Sequence, residues 1–356
     1  MRCKITLKMK YNGLLFTLVL CVLVSCSKQY EEHEEYIEEE LEEEEPVQRV
    51  STWLPEWDME SALKDVDESV EGLESIRVFG GYFNEKDEPF ITENAIALYE
   101  YIDEHHRGDI DVMLTFVNDY VVEGQESVQK DNSLLHRLLK DEQSRRKHIR
   151  DIIAFTKNYK VDGIEIDYEQ IDGADILHYT LFLQELYEEL NKQDVTLHVV
   201  VDPNFPFDMP LPDGPSYTVM AYNVHGYHSG PGAKTTFEFL DQLLGALEQS
   251  NQQFDIAFAA GGFSWPQDER AIALTGVEAE KLIAQKNSTT KRDKHSAAQY
   301  FSYEEDGVPY EAWYADTETL QSWIDYVQHK DSTYEHFIIW RAGGLTEETV
   351  RWMNDH

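Results

Sequence analysis

Three carboxylates within residues 161–170 have a spacing suited to general acid–base chemistry. Glu165, Asp167 and Glu169 alternate with large apolar residues, and this period of two predicts a β-strand with the three acids on one face. Acids this close cannot all ionise at low cost, so their titrations should be coupled and at least one pKa should be raised. A raised pKa is what a carboxyl needs to act as a general acid near neutral pH.

A solvated strand face is the alternative interpretation of this alternation. Asp162 and Gly163 open the strand after a long helical segment, and another helical segment follows it. Strands that alternate with helices form a parallel sheet covered on both faces. Burying an acid there is costly, so buried acids indicate a functional role. We therefore favour a functional carboxylate cluster.

The elements around this strand predict an α/β fold, a (β/α)8 TIM barrel over residues 47–356 with a small α+β insertion before the last helix and strand. A segment of this length is within the usual range for such a barrel. Besides the strand at 161–170, the predicted strands are residues 49–57, 75–82, 110–118, 195–202, 217–223, 254–263 and 337–342. The predicted helices are residues 59–71, 93–106, 134–159, 175–191, 237–250, 278–286 and 318–329, with a small hairpin inside 297–315.

The sequence DGIEIDYE of residues 162–169 resembles the DGxDxDxE motif on the fourth strand of glycoside hydrolase family 18, the chitinases and their relatives. Asp167 and Glu169 match the last two acids of that motif. Glu165 stands where the family usually has Asp, one methylene longer with the same charge.

Other segments extend the resemblance over essentially the whole chain after residue 46. The sequence MAYN of residues 220–223 is similar to the family's M-x-Y-D on strand six, and Trp340 falls where the family has the Trp that floors the sugar subsite. The third strand reads LTFVN at residues 114–118 in place of S-x-G-G. With Trp265 and the aromatic stretch 303–313, this resembles the bacterial branch related to spore-cortex and peptidoglycan hydrolases.

The resemblance implies a glycosidase in which the substrate's own 2-acetamido oxygen is the nucleophile and the β configuration is retained. Glu169 would be the general acid and then the base that activates water. Asp167 would orient the acetamido group and stabilise the oxazolinium ion, and Tyr222 would donate a hydrogen bond to the same group. Glu165, deeper in the barrel, would share a proton with Asp167.

The implied substrates contain β-linked N-acetylglucosamine: peptidoglycan, chitin-type oligosaccharides or the core of N-glycans. The candidate substrate-binding residues are Trp340, Met220, Asn223, Trp265, Trp53 and Tyr82. Core packing is the alternative interpretation of each aromatic residue. Among Trp53, Trp57, Tyr82 and Trp265, all near predicted strand ends, we expect one or two to touch ligand.

A carbohydrate-binding protein on an inactive barrel of the same family is the alternative function. Such relatives typically lose the final Glu of the motif, so the presence of Glu169 favours the enzyme. Glu165 and Asn223 keep the alternative open, because changed groups around an active site often cost activity.

The first 46 residues are predicted to be targeting and tether segments. Basic residues precede an apolar run at 14–24, which is shorter than the about 20 residues that a membrane span needs and typical of a signal peptide, residues 1–25. The sequence LVSC at 23–26 resembles a bacterial lipobox, with cleavage before Cys26 and lipidation of its sulfur. An ordinary secretory signal or an uncleaved anchor is the alternative. We expect a lipid anchor at Cys26 on a bacterial membrane, in the cell envelope and facing away from the cytoplasm.

The acidic composition limits the partners of the chain. Eleven of the fifteen residues 31–45 are Glu, which predicts a self-repelling tether over residues 26–46. The formal net charge of −39 argues against nucleic-acid binding.

The cysteines and histidines predict no metal site. Cys3 and Cys21 would leave with the signal peptide, so no Cys remains for a disulfide, a metal or a nucleophile. His198, His225 and His228 have no metal-binding spacing and are predicted to be surface or loop residues. We expect no cofactor and a monomer.

Overall fold

The computed structural model describes residues 47–108, 110–122, 127–267 and 269–356. The predicted signal peptide, Cys26 and the predicted tether lie outside these residues. The strands are β1 (Arg49–Pro55), β2 (Leu73–Phe83), β3 (Pro89–Ile91), β4 (Asp111–Tyr120), β5 (Gly163–Asp167), β6 (Thr196–Val201), β7 (Ser216–Met220), β8 (Phe254–Ala259), β9 (Gly261–Pro266), β10 (Ile272–Leu274), β11 (Lys291–Arg292), β12 (Gln299–Glu305), β13 (Val308–Ala315) and β14 (His336–Trp340). The helices are α1 (Met59–Asp67), α2 (Glu93–His105), α3 (Asn132–Leu139), α4 (Glu142–Asn158), α5 (Ile176–Asn191), α6 (Phe237–Leu247), α7 (Gly276–Lys286), α8 (Thr317–Lys330) and α9 (Glu347–Asn354).

Eight parallel strands close into a barrel in the order β1, β2, β4, β5, β6, β7, β8 and β14. Closure is made by β1, which pairs in parallel with both β14 and β2. Helices connect most successive barrel strands, whereas the β6–β7 connection, residues 202–215, contains no α-helix. The predicted (β/α)8 TIM barrel is confirmed.

Apolar side chains that point out of the barrel strands pack against the surrounding helices. Ile164 and Ile166 of β5 are fully buried in the same cluster as Phe182 and Leu183 of α5. Burying such a side chain contributes about 1.5–3 kcal/mol. This packing holds each strand in one rotation, so that the alternate side chains must face the barrel interior.

The predicted single helix over residues 134–159 is wrong, because two helices, α3 and α4, occupy this segment. The break comes at Asp141, whose side chain accepts a hydrogen bond from the backbone N–H of Ser144 at 2.9 Å and so caps the start of α4. A capping side chain satisfies a backbone donor that has no partner within the helix.

The predicted seventh strand is also too long. The barrel strand β8 ends at Ala259, and Gly261, with φ +63°, redirects the chain into β9, which belongs to a second sheet. That antiparallel sheet has the order β10, β9, β13, β12, β11 and packs with α7. The predicted insertion is therefore confirmed, and it is larger than the hairpin expected from the sequence.

Two further elements were not predicted. Strand β3 pairs antiparallel with the end of β2, and α9 follows the last barrel strand. Among the described residues, we find no helix with the length and apolar character needed to cross a membrane.

Candidate active site

Strand β5 carries the carboxylate cluster, and the residues before it fix where the strand begins. The backbone N–H of Val112 donates to Asp162 Oδ2 at 2.9 Å, which ties the strand entry to β4. Gly163 must lack a side chain, since a Cβ there would lie 2.4 Å from Thr196 Oγ1. The predicted alternation is confirmed: Tyr168 lies with the outward apolar side chains, and its hydroxyl pairs with His148 Nε2 at 2.9 Å.

Glu165 lies inside the barrel and accepts hydrogen bonds from residues of three other strands, β1, β2 and β4. Trp53 Nε1 donates to Oε1 at 2.6 Å and Thr115 Oγ1 donates to the same oxygen at 2.8 Å. Arg77 Nη1 donates to Oε2 at 2.6 Å. Both side chains of the Arg77–Glu165 ion pair are 0% exposed. Because both Glu165 oxygens face donors, a proton shared with Asp167 belongs on Asp167.

Asp167 is the buried acid at the centre of the cluster. Its Oδ1 has no hydrogen-bond partner among the described residues. Burial, followed by the charges of Glu169 and Glu165, raises the pKa of Asp167 well above its usual value. Asp167 therefore holds a proton more readily than an ordinary carboxyl, and it has an open oxygen beneath the mouth of the barrel.

Glu169 lies just past the end of β5, and Asn118 of β4 holds its backbone from both sides. Asn118 Oδ1 accepts from the Glu169 N–H at 2.9 Å, and Asn118 Nδ2 donates to the Glu169 carbonyl at 3.1 Å. The Glu169 side chain contacts Lys130 Nζ through Oε2. Burial raises the pKa of Glu169, and the Lys130 ammonium opposes that rise.

The end of β7 contributes Met220, Tyr222 and Asn223. Met220 is buried in the apolar layer of the barrel interior. Burial and the three nearby acids raise the pKa of Tyr222 well above its usual value, so its hydroxyl stays a hydrogen-bond donor. The strand ends at Met220, and Asn223 is exposed with φ +71°, a left-handed conformation that Asn tolerates better than most residues.

A cleft of about 810 Å³ opens beside Glu169 at the mouth of the barrel. Of the predicted site residues, Glu169, Tyr222 and Asn223 line it. It is further lined by side chains that the sequence did not single out, among them Lys130, Asp202, Asn204, Tyr227 and Phe263. A cleft of this size with exposed Tyr227 on its wall can hold a sugar chain.

The predicted aromatic platform residues divide into two groups. The half-buried Trp340 has its ring centroid 5.7 Å from that of Trp53 and 6.3 Å from that of the exposed Trp57. Trp53 is 1% exposed, so it supports Trp340 and Glu165 from below. Tyr82 is buried in the same cluster.

Trp265 belongs to the second group. It is buried in β9, donates from Nε1 to the Ser229 carbonyl at 2.9 Å and packs beside Phe263, which lines the cleft.

The prediction that His198 is a surface or loop residue is wrong. It lies on β6 with its side chain in the barrel interior, where burial and the charge of Arg77 lower the pKa to about 3. His225 is half-buried and His228 lines the cleft. Within the described parts of the chain, no group of three His, Cys, Asp or Glu side chains is arranged to hold a metal ion.

Comparison with known proteins identifies the family. The family model of Glycosyl hydrolases family 18 matches residues 126–344. The chain belongs to glycosyl hydrolases family 18. This confirms the predicted family and, at that level, the prediction of a glycoside hydrolase.

Relatives of the family 18 chain are distant in sequence. It is 22% identical over 209 residues to the "Uncharacterized glycosylase YvbX" of Bacillus subtilis (strain 168), covering 54% of this chain and 61% of that protein. The match therefore spans less than two thirds of the curated relative.

Solved structures share the fold of this family 18 chain. The Bacillus cereus spore cortex-lytic enzyme SleL has a TM-score of 0.74 at 18% identity, covering 86% of this chain and 74% of that one. A class V chitinase from Nicotiana tobaccum, in complex with NAG4, has a TM-score of 0.68 at 14% identity, covering 87% of this chain and 97% of that one.

Three polar residues of the candidate site were missed in the sequence. Arg77 is a lone arginine in an apolar strand, and that is a signal that could have suggested a buried acidic partner. Asn118 was included in the third strand without a role. Lys130 lies in a loop whose sequence gives no indication of contact with Glu169.

Proposed function

We propose that the chain hydrolyses glycans containing β-linked N-acetylglucosamine by substrate-assisted, retaining catalysis. The observation that carries this proposal is the buried Asp167, which has an open Oδ1 between the Arg77–Glu165 ion pair and Glu169. A buried carboxyl without a partner is costly, so an incoming group that bonds to it would be favoured.

The first step requires a proton on Glu169 and a negative charge on Asp167. Glu165 is occupied by Arg77, so the proton retained by the cluster is shared between Asp167 and Glu169. When the glycan binds, its acetamido N–H would donate a hydrogen bond to Asp167 and so stabilise the ionised form of that side chain. The proton would then move to Glu169. Glu169 then protonates the glycosidic oxygen while the acetamido oxygen bonds to the anomeric carbon and the glycosidic bond breaks.

The second step reverses the role of Glu169. Asp167 stabilises the positive oxazolinium ion formed in the first step, during which the Tyr222 hydroxyl donates to the acetamido oxygen. The Glu169 carboxylate takes a proton from water, and the resulting hydroxide attacks the anomeric carbon from the face that the leaving group vacated. The acetamido oxygen is displaced, so the product keeps the β configuration.

Peptidoglycan, chitin-type oligosaccharides and the N-glycan core are the proposed substrates. One structural neighbour is named a spore cortex-lytic enzyme, and another is a chitinase in complex with NAG4. These names support the proposal that the substrate belongs to this class of glycans. Trp340, with Trp57 beside it, is the proposed platform for the sugar whose bond is cleaved.

A lipid anchor at Cys26 on a bacterial membrane, facing away from the cytoplasm, is the proposed location, supported by the sequence of the first 26 residues. The tether over 26–46 would hold the barrel, as a monomer, away from that membrane.

The test compares wild type and Glu169→Gln on chitooligosaccharides, peptidoglycan and a glycoprotein, with products identified by mass spectrometry. Gln keeps the shape but cannot donate the proton, so turnover should fall by roughly 10²–10⁴ while glycan binding persists. The exposed Glu60 provides a matched control, and Glu60→Gln should leave turnover unchanged. Tight glycan binding without turnover by the wild type would instead identify a carbohydrate-binding protein.

A further inference from the structure

Lys130 is held at the mouth of the barrel by the end of β4. Its backbone N–H donates to Asp119 Oδ1 at 2.9 Å, and the next residue, Asp131, donates its N–H to the Asn118 carbonyl at 2.9 Å. Asp131 also caps the start of α3 by accepting from the Ser133 N–H at 2.8 Å. Lys130 is thus fixed between a strand end and a helix start.

The same strand end holds Glu169. The Asn118 amide makes both backbone contacts to Glu169, while Lys130 Nζ contacts Glu169 Oε2. The acid and the ammonium are therefore positioned by the same strand end, through Asn118 and Asp119. The contact uses Oε2 and leaves Oε1 for the glycosidic oxygen.

Lys130 is the one Lys or Arg among the described residues that line the cleft. The other titratable groups that face Glu169 come from the same strand, from the end of β4 and from the segments after β6 and β7; they are Asp167, Asp119, Asp202 and Tyr222. None of them is a cation at neutral pH. His228 also lines the cleft, but the positive charge in contact with Glu169 is that of Lys130.

We propose that Lys130 is a positioning residue for the general acid: it orients Glu169 through Oε2 and supplies the counter-charge for the carboxylate left after proton donation. This inference rests on the proposed function. A nearby cation makes Glu169 a stronger acid, and it stabilises the carboxylate that must later activate water. Burial alone would leave Glu169 a weak donor and a carboxylate of high energy.

The test measures how Glu169 titrates, independently of turnover. The full chain is labelled with carbon-13 at the Glu side-chain carboxyl, and the Glu169 resonance is assigned by its loss in Glu169→Gln. In Lys130→Met we expect Glu169 to titrate at higher pH than in wild type, by about one pH unit or more. Lys130→Arg should keep the wild-type titration, because it keeps the charge. Lys281→Met removes the same charge from an exposed site on α7, outside the cleft, and should also leave the titration unchanged.

The kinetic readout follows from the same charge. The alkaline limb of kcat/KM reports the free enzyme's acid, so it should move to higher pH in Lys130→Met and stay in place in Lys130→Arg. At the optimum, kcat of Lys130→Met should fall about tenfold or more, as for the loss of a supporting group around an active site. Lys130→Gln is a second replacement without charge, used if Lys130→Met folds poorly. It should show the same shift and the same loss of kcat.

The outcomes separate this inference from the proposed function. An unchanged Glu169 titration in both Lys130→Met and Lys130→Gln would overturn the role of Lys130, whatever the activity. If the Glu169 titration shifts in the Lys130 variants but the wild type cleaves none of the glycans, the proposed function is contradicted. The Lys130–Glu169 pairing would still be supported.

Discussion

Replacing Arg77 by Met tests whether the barrel interior is built around a charged pair. Arg77 and Glu165 are both 0% exposed, and Arg77 Nη1 lies 2.6 Å from Glu165 Oε2. At this separation the attraction is about 6 kcal/mol for an effective dielectric constant near 20. Much of that is offset by the cost of removing both charges from water. Removing one partner, however, leaves the other charge buried and unpaired, which costs about 3–5 kcal/mol.

We therefore expect Arg77→Met to reduce the free energy of unfolding by about 3–5 kcal/mol. The double variant Arg77→Met/Glu165→Leu, which removes both charges, should recover at least half of the loss. Urea unfolding followed by tryptophan fluorescence measures each midpoint, and an unchanged m-value shows that only stability has changed.

Arg137 provides the matched control for this experiment. It forms a two-bond ion pair with Asp87 at 2.7 Å, but its side chain is 41% exposed. An exposed pair contributes about 0–1 kcal/mol, so Arg137→Met should have a small effect. If Arg77→Met is no more destabilising than Arg137→Met, or if the double variant is worse than the single one, the argument about the buried pair is refuted.

Two further predictions concern the cleft and the anchor. Asn223→Asp adds a negative charge to the cleft that Glu169 lines, which should raise the pKa of the general acid and move the alkaline limb of the pH–activity profile upward; superimposable profiles would place residue 223 outside electrostatic reach of Glu169. Cys26→Ser should release the protein from the membrane fraction or leave it unprocessed in a bacterial host; a normally processed, membrane-bound Cys26→Ser protein would contradict the lipid anchor.

The sequence predicts those parts of the fold that depend on local periodicity. The alternation at Glu165, Asp167 and Glu169 predicted both the strand and the face of each side chain, because one buried face leaves no freedom of register. The eight-stranded barrel followed from strands alternating with helices. The break at Asp141 was missed because a capping side chain is a small local signal inside a long amphipathic stretch.

Contacts between distant residues could not be predicted in this way. Arg77 precedes Glu165 by 88 positions, and Lys130 precedes Glu169 by 39. No spacing rule connects such pairs, since their members are brought together only when the barrel closes. The sequence therefore predicted the acids of the candidate site, whereas the structure was needed to find the cations that pair with Glu165 and Glu169.

The central claim is that the substrate's acetamido group is the nucleophile and that Asp167 and Glu169 serve it. The direct measurement compares wild-type cleavage of an N-acetylated chitooligosaccharide with cleavage of the same oligosaccharide after complete deacetylation, with the first-formed anomer read by proton NMR. We predict cleavage of the acetylated chain to a β product and no cleavage of the deacetylated chain. Rapid cleavage of the deacetylated chain, or an α product formed first from the acetylated chain, would contradict the mechanism.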